Sequence, residues 1–184
     1  GVTIMSFPVL ETERLILREI TKEDSKAIFD YFLSDDVTRF YGMNSFKDLK
    51  EAETLVENFQ RTFHDKRGIR WGIVTKTENK FIGTVGFHAW SPQHKRTEIG
   101  YEIHPDYWRK GYISEAVRTV ITYGFNEWDL NRIGAIIFTD NVASHRSIQK
   151  FGFKQDGVLR EYMYQNNYPN DVISYSLLRS EWNN

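Results

Sequence analysis

The sequence predicts a mixed α/β fold, and three observations carry the prediction. Segments of period two alternate with segments of helical period along the chain, in the order β-α-α-β-β-β-α-β-α-β-β. A helical stretch joins the strand near residue 99 to the strand near residue 135, which implies a right-handed parallel crossover. Short turns at Thr77-Glu78-Asn79 and Ser91-Pro92-Gln93 join the preceding strands as hairpins.

Arg14 to Arg18 alternates like a strand, and Thr21-Lys22-Glu23-Asp24 resembles a helix N-cap with an acidic residue three positions on. The helix that follows runs to about Leu33, with Ala27, Ile28, Tyr31 and Phe32 as its apolar stripe. After a polar link, Ala52, Leu55, Val56, Phe59 and Phe63 recur at the helical spacing over roughly 48 to 64. Period two then returns in Ile69 to Lys76 and Lys80 to His88. In the second of these, Phe81, Val85 and Phe87 are expected on one face. Gly83 and Gly86 mark either close backbone packing or room for a ligand.

The strand 95 to 103 is followed by a helix opening at Ser114-Glu115-Ala116. Its buried face is expected to hold Ala116, Val117, Val120, Ile121, Gly124 and Phe125. Arg132 to Phe138 is a short apolar run, typical of a strand covered on both faces. A third strong helix begins after Asp140-Asn141, passes Ser144, Ile148 and Phe151, and stops at Gly152. Strands near 153 to 164 and 171 to 179 close the chain, with a loop expected over 165 to 170.

The 184 residues are read as one domain, 1–184, with its core over about 10–180. Aromatic residues at 15% argue against disorder. A net charge of −1 supplies no global field for nucleic acid, so no direct nucleic-acid partner is expected. With no cysteine there is no disulfide, thiolate metal site or cysteine nucleophile. No apolar run approaches the ~20 residues of a membrane span, and GVTIMSFPVL lacks the basic start and apolar core of a signal peptide. A soluble, cytoplasmic protein is expected, with the origin of Gly1 to Ile4 left open. None of the five histidines forms a spaced pair on a helix face, so no metal is expected.

One stretch concentrates the chemistry. In Thr97 to Ala116, Ile99, Tyr101 and Ile103 point one way and Glu98, Gly100 and Glu102 the other. Pro105 ends this strand. The basic, glycine-bearing turn Tyr107-Trp108-Arg109-Lys110-Gly111-Tyr112 then leads into a helix. Strand, basic turn and helix start make an anion site, because unpaired first-turn N–H groups and the helix dipole both favour negative charge.

The element order, with Trp108-Arg109-Lys110-Gly111-Tyr112-Ile113-Ser114-Glu115-Ala116 after the fourth strand and Asn141-Val142-Ala143-Ser144 after the fifth, resembles the GNAT superfamily of acetyl-CoA-dependent N-acetyltransferases. IGYEIHPDYWRKGYISEA, NVASHRSIQKFGF and GVLREYMYQNNYPNDVISYSLL look like the branch that acetylates ribosomal-protein N-termini. The resemblance implies a GNAT-like fold: a central mixed, mostly antiparallel sheet with a parallel pair at the fourth and fifth strands, flanked by helices. It also implies acetyl-CoA as donor and a primary amine as acceptor, foremost a ribosomal or other protein N-terminus. The alternatives are a small amine (polyamine, amino acid or antibiotic) and a non-catalytic acyl-CoA-binding module. Monomer and homodimer both stay open.

By the same resemblance, Trp108, Arg109, Lys110, Gly111, Tyr112, Ile113 and Ser114 hold the coenzyme A pyrophosphate. Trp108 and Ile113 depart from the superfamily's usual Gln/Arg and Gly/Ala at those positions. Ile103 and Asn141 would bind the pantetheine arm, for whose amides Asn offers both a donor and an acceptor. Acetyl transfer needs a neutral amine, a stabilised oxyanion and a proton for the departing thiolate. Glu98, ten residues before the loop, is the first candidate base, with Glu161 as rival and Glu102 nearer the loop. Ser144 and Tyr162 are candidates for protonating the thiolate, against ordinary capping for Ser144 and wall packing for Tyr162. Phe40-Tyr41 and the 165 to 170 loop flank the amine side.

Overall fold

In the computed structural model, which describes residues 6–182, eight strands form one sheet in the order β1-β2-β3-β4-β5-β6-β8-β7. Gly1 to Ile4 lie outside the described residues. The strands are β1 (Leu10–Glu11), β2 (Leu15–Glu19), β3 (Ile69–Thr75), β4 (Phe81–Ser91), β5 (Arg96–Ile103), β6 (Arg132–Phe138), β7 (Lys154–Gln165) and β8 (Tyr168–Leu178). The helices are α1 (Ser25–Phe32), α2 (Asp35–Thr38), α3 (Leu49–His64), α4 (Tyr112–Glu127) and α5 (Val142–Lys150). Only β5 and β6 pair in parallel, across the α4 crossover, and every other neighbouring pair is antiparallel. The short β1 had no periodic signal, so the strands counted fourth and fifth from the sequence are β5 and β6.

Alternation along β3 explains the two apolar layers. Ile69, Trp71 and Ile73 enter the larger core under α4, whereas Val74 joins the smaller core under α1 and α3 with Ile28, Phe32 and Val56. The six apolar positions expected on α4 are all buried. Helix α3 has the expected register, capped by Asp48, whose carboxylate accepts from Glu51 N. Around Thr21 the first turn is a short 3-10 segment and α1 starts only at Ser25, because the Asp24 carboxylate takes both the Thr21 N–H at 2.9 Å and the Arg18 guanidinium.

Several expectations are corrected. Phe81 does not share a face with Val85 and Phe87: a bulge at Ile73/Val74 turns it into the smaller core. Gly83 and Gly86 allow close backbone approach, since a Cβ would meet Glu102 O at 2.3 Å and Ile69 O at 2.0 Å respectively. β4 runs on through Ser91, and its hairpin turn follows at 92–95. Helix α4 starts two residues early, at Tyr112, and the polar link contains α2. The 165–170 stretch is no open loop. Asn166 and Asn167, at φ +53° and +59°, make a two-residue hairpin turn between β7 and β8. Pro169 is tolerated within β8 because β6 pairing reaches only Val172.

Candidate active site

The loop before α4 gathers main-chain N–H groups. Arg109 (φ +62°) and Gly111 (φ +81°) are both left-handed, and α4 begins immediately at Tyr112. The first intrahelical bond, Glu115 N to Gly111 O at 3.1 Å, leaves the amides of Tyr112, Ile113 and Ser114 without helical partners. This is an anion cradle of alternating backbone handedness at a helix start. Arg14 fixes the loop from behind: Nη1 donates to Lys110 O at 3.0 Å, Nε reaches Glu115 Oε1 at 2.8 Å, and the guanidinium lies over Tyr112. The Trp108 indole N–H donates to Ile103 O at 3.0 Å, tying the loop to the end of β5.

The parallel pair opens where the chemistry is expected. β5 and β6 match only at Arg96↔Arg132, Thr97↔Ile133 and Glu98↔Gly134. Beyond Glu98 the strands diverge, β5 staying on β4 and β6 on β8. Across the β4–β5 ladder His104 N donates to Ile82 O, so the even-numbered members of β5 bond β4. Tyr101 and Ile103 therefore turn their main-chain groups into the gap. Ile103 O is taken by Trp108, and its N–H faces the opening.

Glu98 stands at the vertex of this divergence. Burial raises its carboxyl above the ordinary carboxylate value, with Arg132 opposing. Opposite it on β4, His88 Nε2 lies 3.6 Å from Glu98 Oε2. Burial, then the charge of Arg70, lowers the imidazole to about 4. The pair is thus a neutral histidine beside a carboxylate whose basicity is increased. Sequence reading missed His88, since only the cross-strand register brings it to Glu98.

Glu102 has a different position. Its carboxylate accepts from Tyr31 OH (2.7 Å), Tyr41 OH (2.9 Å), Thr84 Oγ1 (2.6 Å) and Arg70 Nη2 (2.7 Å). The Arg70 and Glu102 side chains are 8% and 4% exposed. With its lone pairs taken up in this way, Glu102 is a structural anchor, and Glu98 is the carboxylate left for the site.

From the next crossover, Asn141 Oδ1 caps α5 by accepting from Ser144 N at 3.2 Å. The Ser144 hydroxyl has no hydrogen bond among the described residues. Tyr162 sits in a β7 irregularity, 57% exposed, while Glu161 at φ +49° is exposed and its N–H donates to Asp171. One cavity of about 1310 Å³ is lined by Glu98, Ile103, Ser144 and Tyr162 together with Asn141 and the loop residues other than Lys110. Glu161 does not line it. Phe40, Tyr41 and Met163 form part of its wall. The β7–β8 turn docks nearby, through Gln165 Nε2 to Thr38 O and Asn166 N to Asn44 Oδ1. Among the described residues no group of His, Asp or Glu is placed to hold a metal, and no helix is long and apolar enough to cross a membrane.

A family model described as an acetyltransferase (GNAT) domain matches residues 14–154. The chain is similar to the uncharacterized N-acetyltransferase YoaA of Bacillus subtilis (strain 168), 50% identical over 173 residues that cover 94% of this chain and 98% of YoaA. Among solved structures it resembles RimL, a ribosomal L7/L12 alpha-N-protein acetyltransferase in complex with coenzyme A. That match has a TM-score of 0.81 and 19% identity, over 93% of this chain and 98% of RimL. A spermidine N-acetyltransferase from Vibrio cholerae, in complex with CoA and spermine, matches at TM-score 0.80 and 20% identity over 92% of this chain and 98% of that one. At such identities the two structures speak for the fold alone.

Proposed function

The chain belongs to the GNAT family of N-acetyltransferases, and from that premise we propose that it transfers acetyl from acetyl-CoA directly to the α-amino group of a protein or peptide. The observation that carries the reading is Glu98, at the vertex of the β5–β6 divergence, in one cavity with the anion cradle and the Ser144 hydroxyl. Acetyl-CoA would supply the activated thioester. Trp108, Arg109 and the amides of Gly111 to Ser114 would hold its pyrophosphate, Lys110 adding charge from outside the cavity wall. The Ile103 N–H and the Asn141 side chain would meet the pantetheine amides.

The chemistry left to the chain is proton management. As the amine's C–N bond forms and the C–S bond breaks, Glu98 receives the amine proton, directly or through one water. Ser144 hydrogen-bonds the departing sulfur, with Tyr162 across the cavity as the second hydroxyl. An α-amino group has a reference pKa of about 7.7–8.0 and is partly neutral already, so a carboxylate of raised pKa suffices. Transfer is taken as direct, and with no cysteine in the sequence it cannot pass through a cysteine thioester.

A polyamine acceptor is less well supported. A polycation calls for several unpaired carboxylates, and in this cavity Glu102 is committed to Arg70. The same reading takes residues 1–184 as one cytoplasmic acetyltransferase domain. The test is thiol release from acetyl-CoA against peptides with different first residues, amino-acid amides, alkylamines and polyamines. Peptide amines are expected to give the highest kcat/KM. Coenzyme A binding without thiol release for any amine would leave a non-catalytic binding module.

A further inference from the structure

On the face of β5 that carries Glu98 and Glu102, the residue between them is Gly100. The space of its missing side chain is taken by the Arg70 guanidinium. A Cβ there would lie 2.9 Å from Arg70 Nη1 and 3.3 Å from the His88 ring. Arg70 reaches this position from β3 with its side chain only 8% exposed. Nε donates to Thr84 Oγ1 at 2.8 Å, and Nη2 to Tyr41 OH at 2.8 Å and Glu102 Oε2 at 2.7 Å. Nη1 makes no hydrogen bond among the described residues. Phe59 covers the guanidinium with its ring centroid 5.4 Å from Cζ, and Arg70 lines the same cavity as Glu98.

Nη1 is a charged donor on the cavity wall, free to offer its N–H groups to an acceptor oxygen bound there. Two residues along one strand face are about 7 Å apart. Nη1, beside the Gly100 position, is therefore one side-chain step along the strand face from Glu98, on the scale of an α-amino group and its own carbonyl oxygen. We infer that Arg70 is a specificity-determining residue: Nη1 takes the carbonyl or carboxylate oxygen of an acceptor whose amine sits at Glu98. The enzyme then selects α-aminoacyl compounds over alkylamines and polyamines. This rests on the acetyl-transfer reading above and adds the acceptor's second anchor.

The test compares kcat/KM for L-alaninamide and for sec-butylamine, its counterpart without the carbonyl, with spermidine as a third acceptor. The variants are Gly100→Ala, whose methyl displaces Nη1 but keeps the charge and the Glu102 pair, and Arg70→Lys. Taking the alaninamide to sec-butylamine ratio across variants cancels the different basicities of the two amines. Coenzyme A affinity by calorimetry reports that the fold persists. The ratio is expected to fall about ten- to a hundredfold in both variants, the range for a hydrogen bond to a charged group, mainly through KM of the amide. An unchanged ratio in Gly100→Ala with coenzyme A affinity retained overturns the inference while acetyl transfer stands. So does a wild-type preference for spermidine that survives both substitutions. Absence of thiol release for every amine by the wild-type protein overturns both.

Discussion

Glu102→Gln is the sharpest test of how the acceptor wall is held. The substitution keeps shape but halves the acceptor capacity of a group that receives Tyr31, Tyr41, Thr84 and Arg70. One glutamine end can still accept from Tyr31 and Thr84, while the other presents N–H groups to Arg70 and Tyr41, both already donating. Arg70 then keeps a charge at 8% exposure with no anion beside it. Breaking a buried pair from one side costs about 3–5 kcal/mol, a large share of a total of about 5–15 kcal/mol. At about 2–4 °C per kcal/mol for a chain of this size, the melting temperature should fall by about 6–20 °C. Urea unfolding at pH 7 measures the loss. The double variant Arg70→Met with Glu102→Gln should recover part of it, because it removes the stranded charge while the glutamine oxygen still accepts from Tyr31 and Thr84. A Glu102→Gln protein within about 1 kcal/mol of wild type, or a double variant no better than the single, would refute the reasoning.

Glu98→Gln should lower kcat/KM by about 10²–10⁴-fold in the thiol-release assay, and full turnover at all pH values would remove the base assignment. The same variant should be more stable at pH 7: the folded carboxyl has a raised pKa, so ionised Glu98 opposes folding above its unfolded value. For His88 the sign is opposite in pH. Its imidazole is held near 4 in the fold against 6.5 ordinarily, so the unfolded chain takes the proton first and stability drains away as pH falls from 6.5 to 4. His88→Gln should flatten that acid slope in thermal unfolding, by a modest amount since half the side chain is exposed. Gly111→Ala places a methyl at φ +81°, costing about 1–2 kcal/mol, and should weaken coenzyme A binding by calorimetry. Unchanged affinity would argue against the loop amides as the pyrophosphate site.

What was legible in the sequence is what local period encodes. The six buried positions of α4, the run of β6, the span of α3 from about 48 to 64 and the stop at Gly152 follow from spacing and cap chemistry alone. β1 and α2 span less than two turns or pleats and leave no period to read. The β7–β8 turn was hidden because Pro169 and the asparagines signal a loop, and only the end of β6 pairing makes room for them in a strand. Phe81 was misplaced because a bulge in the β3–β4 ladder resets the alternation, and a bulge depends on the partner strand. Arg70, between Ile69 and Trp71, reads as an ordinary strand residue until the register sets it beside Thr84 and over Gly100.

On the proposed function, one property of β5 would bring the two halves of the reaction together. In a strand, side chains leave perpendicular to the sheet while N–H and C=O groups lie within it. Even-numbered residues of β5 spend their main-chain groups on β4 and project Glu98, Gly100 and Glu102 toward α1 and α3. Odd-numbered residues put Ile99 and Ile103 side chains in the α4 core and leave the Tyr101 and Ile103 main chain facing the gap left by β6. Under the acetyl-transfer reading, the donor arm would thus meet amides in the plane of the sheet, and the acceptor would meet side chains above it. A one-residue slip of β5 would exchange the two sets and bury Glu98 in the core. The network from Glu102 to Tyr31 of α1 and Tyr41 after α2 opposes that slip, since it ties the helical wall to this register. Its polar side chains, costly in a core, therefore contribute geometry: they hold the helical wall of the cavity at a set distance from β5.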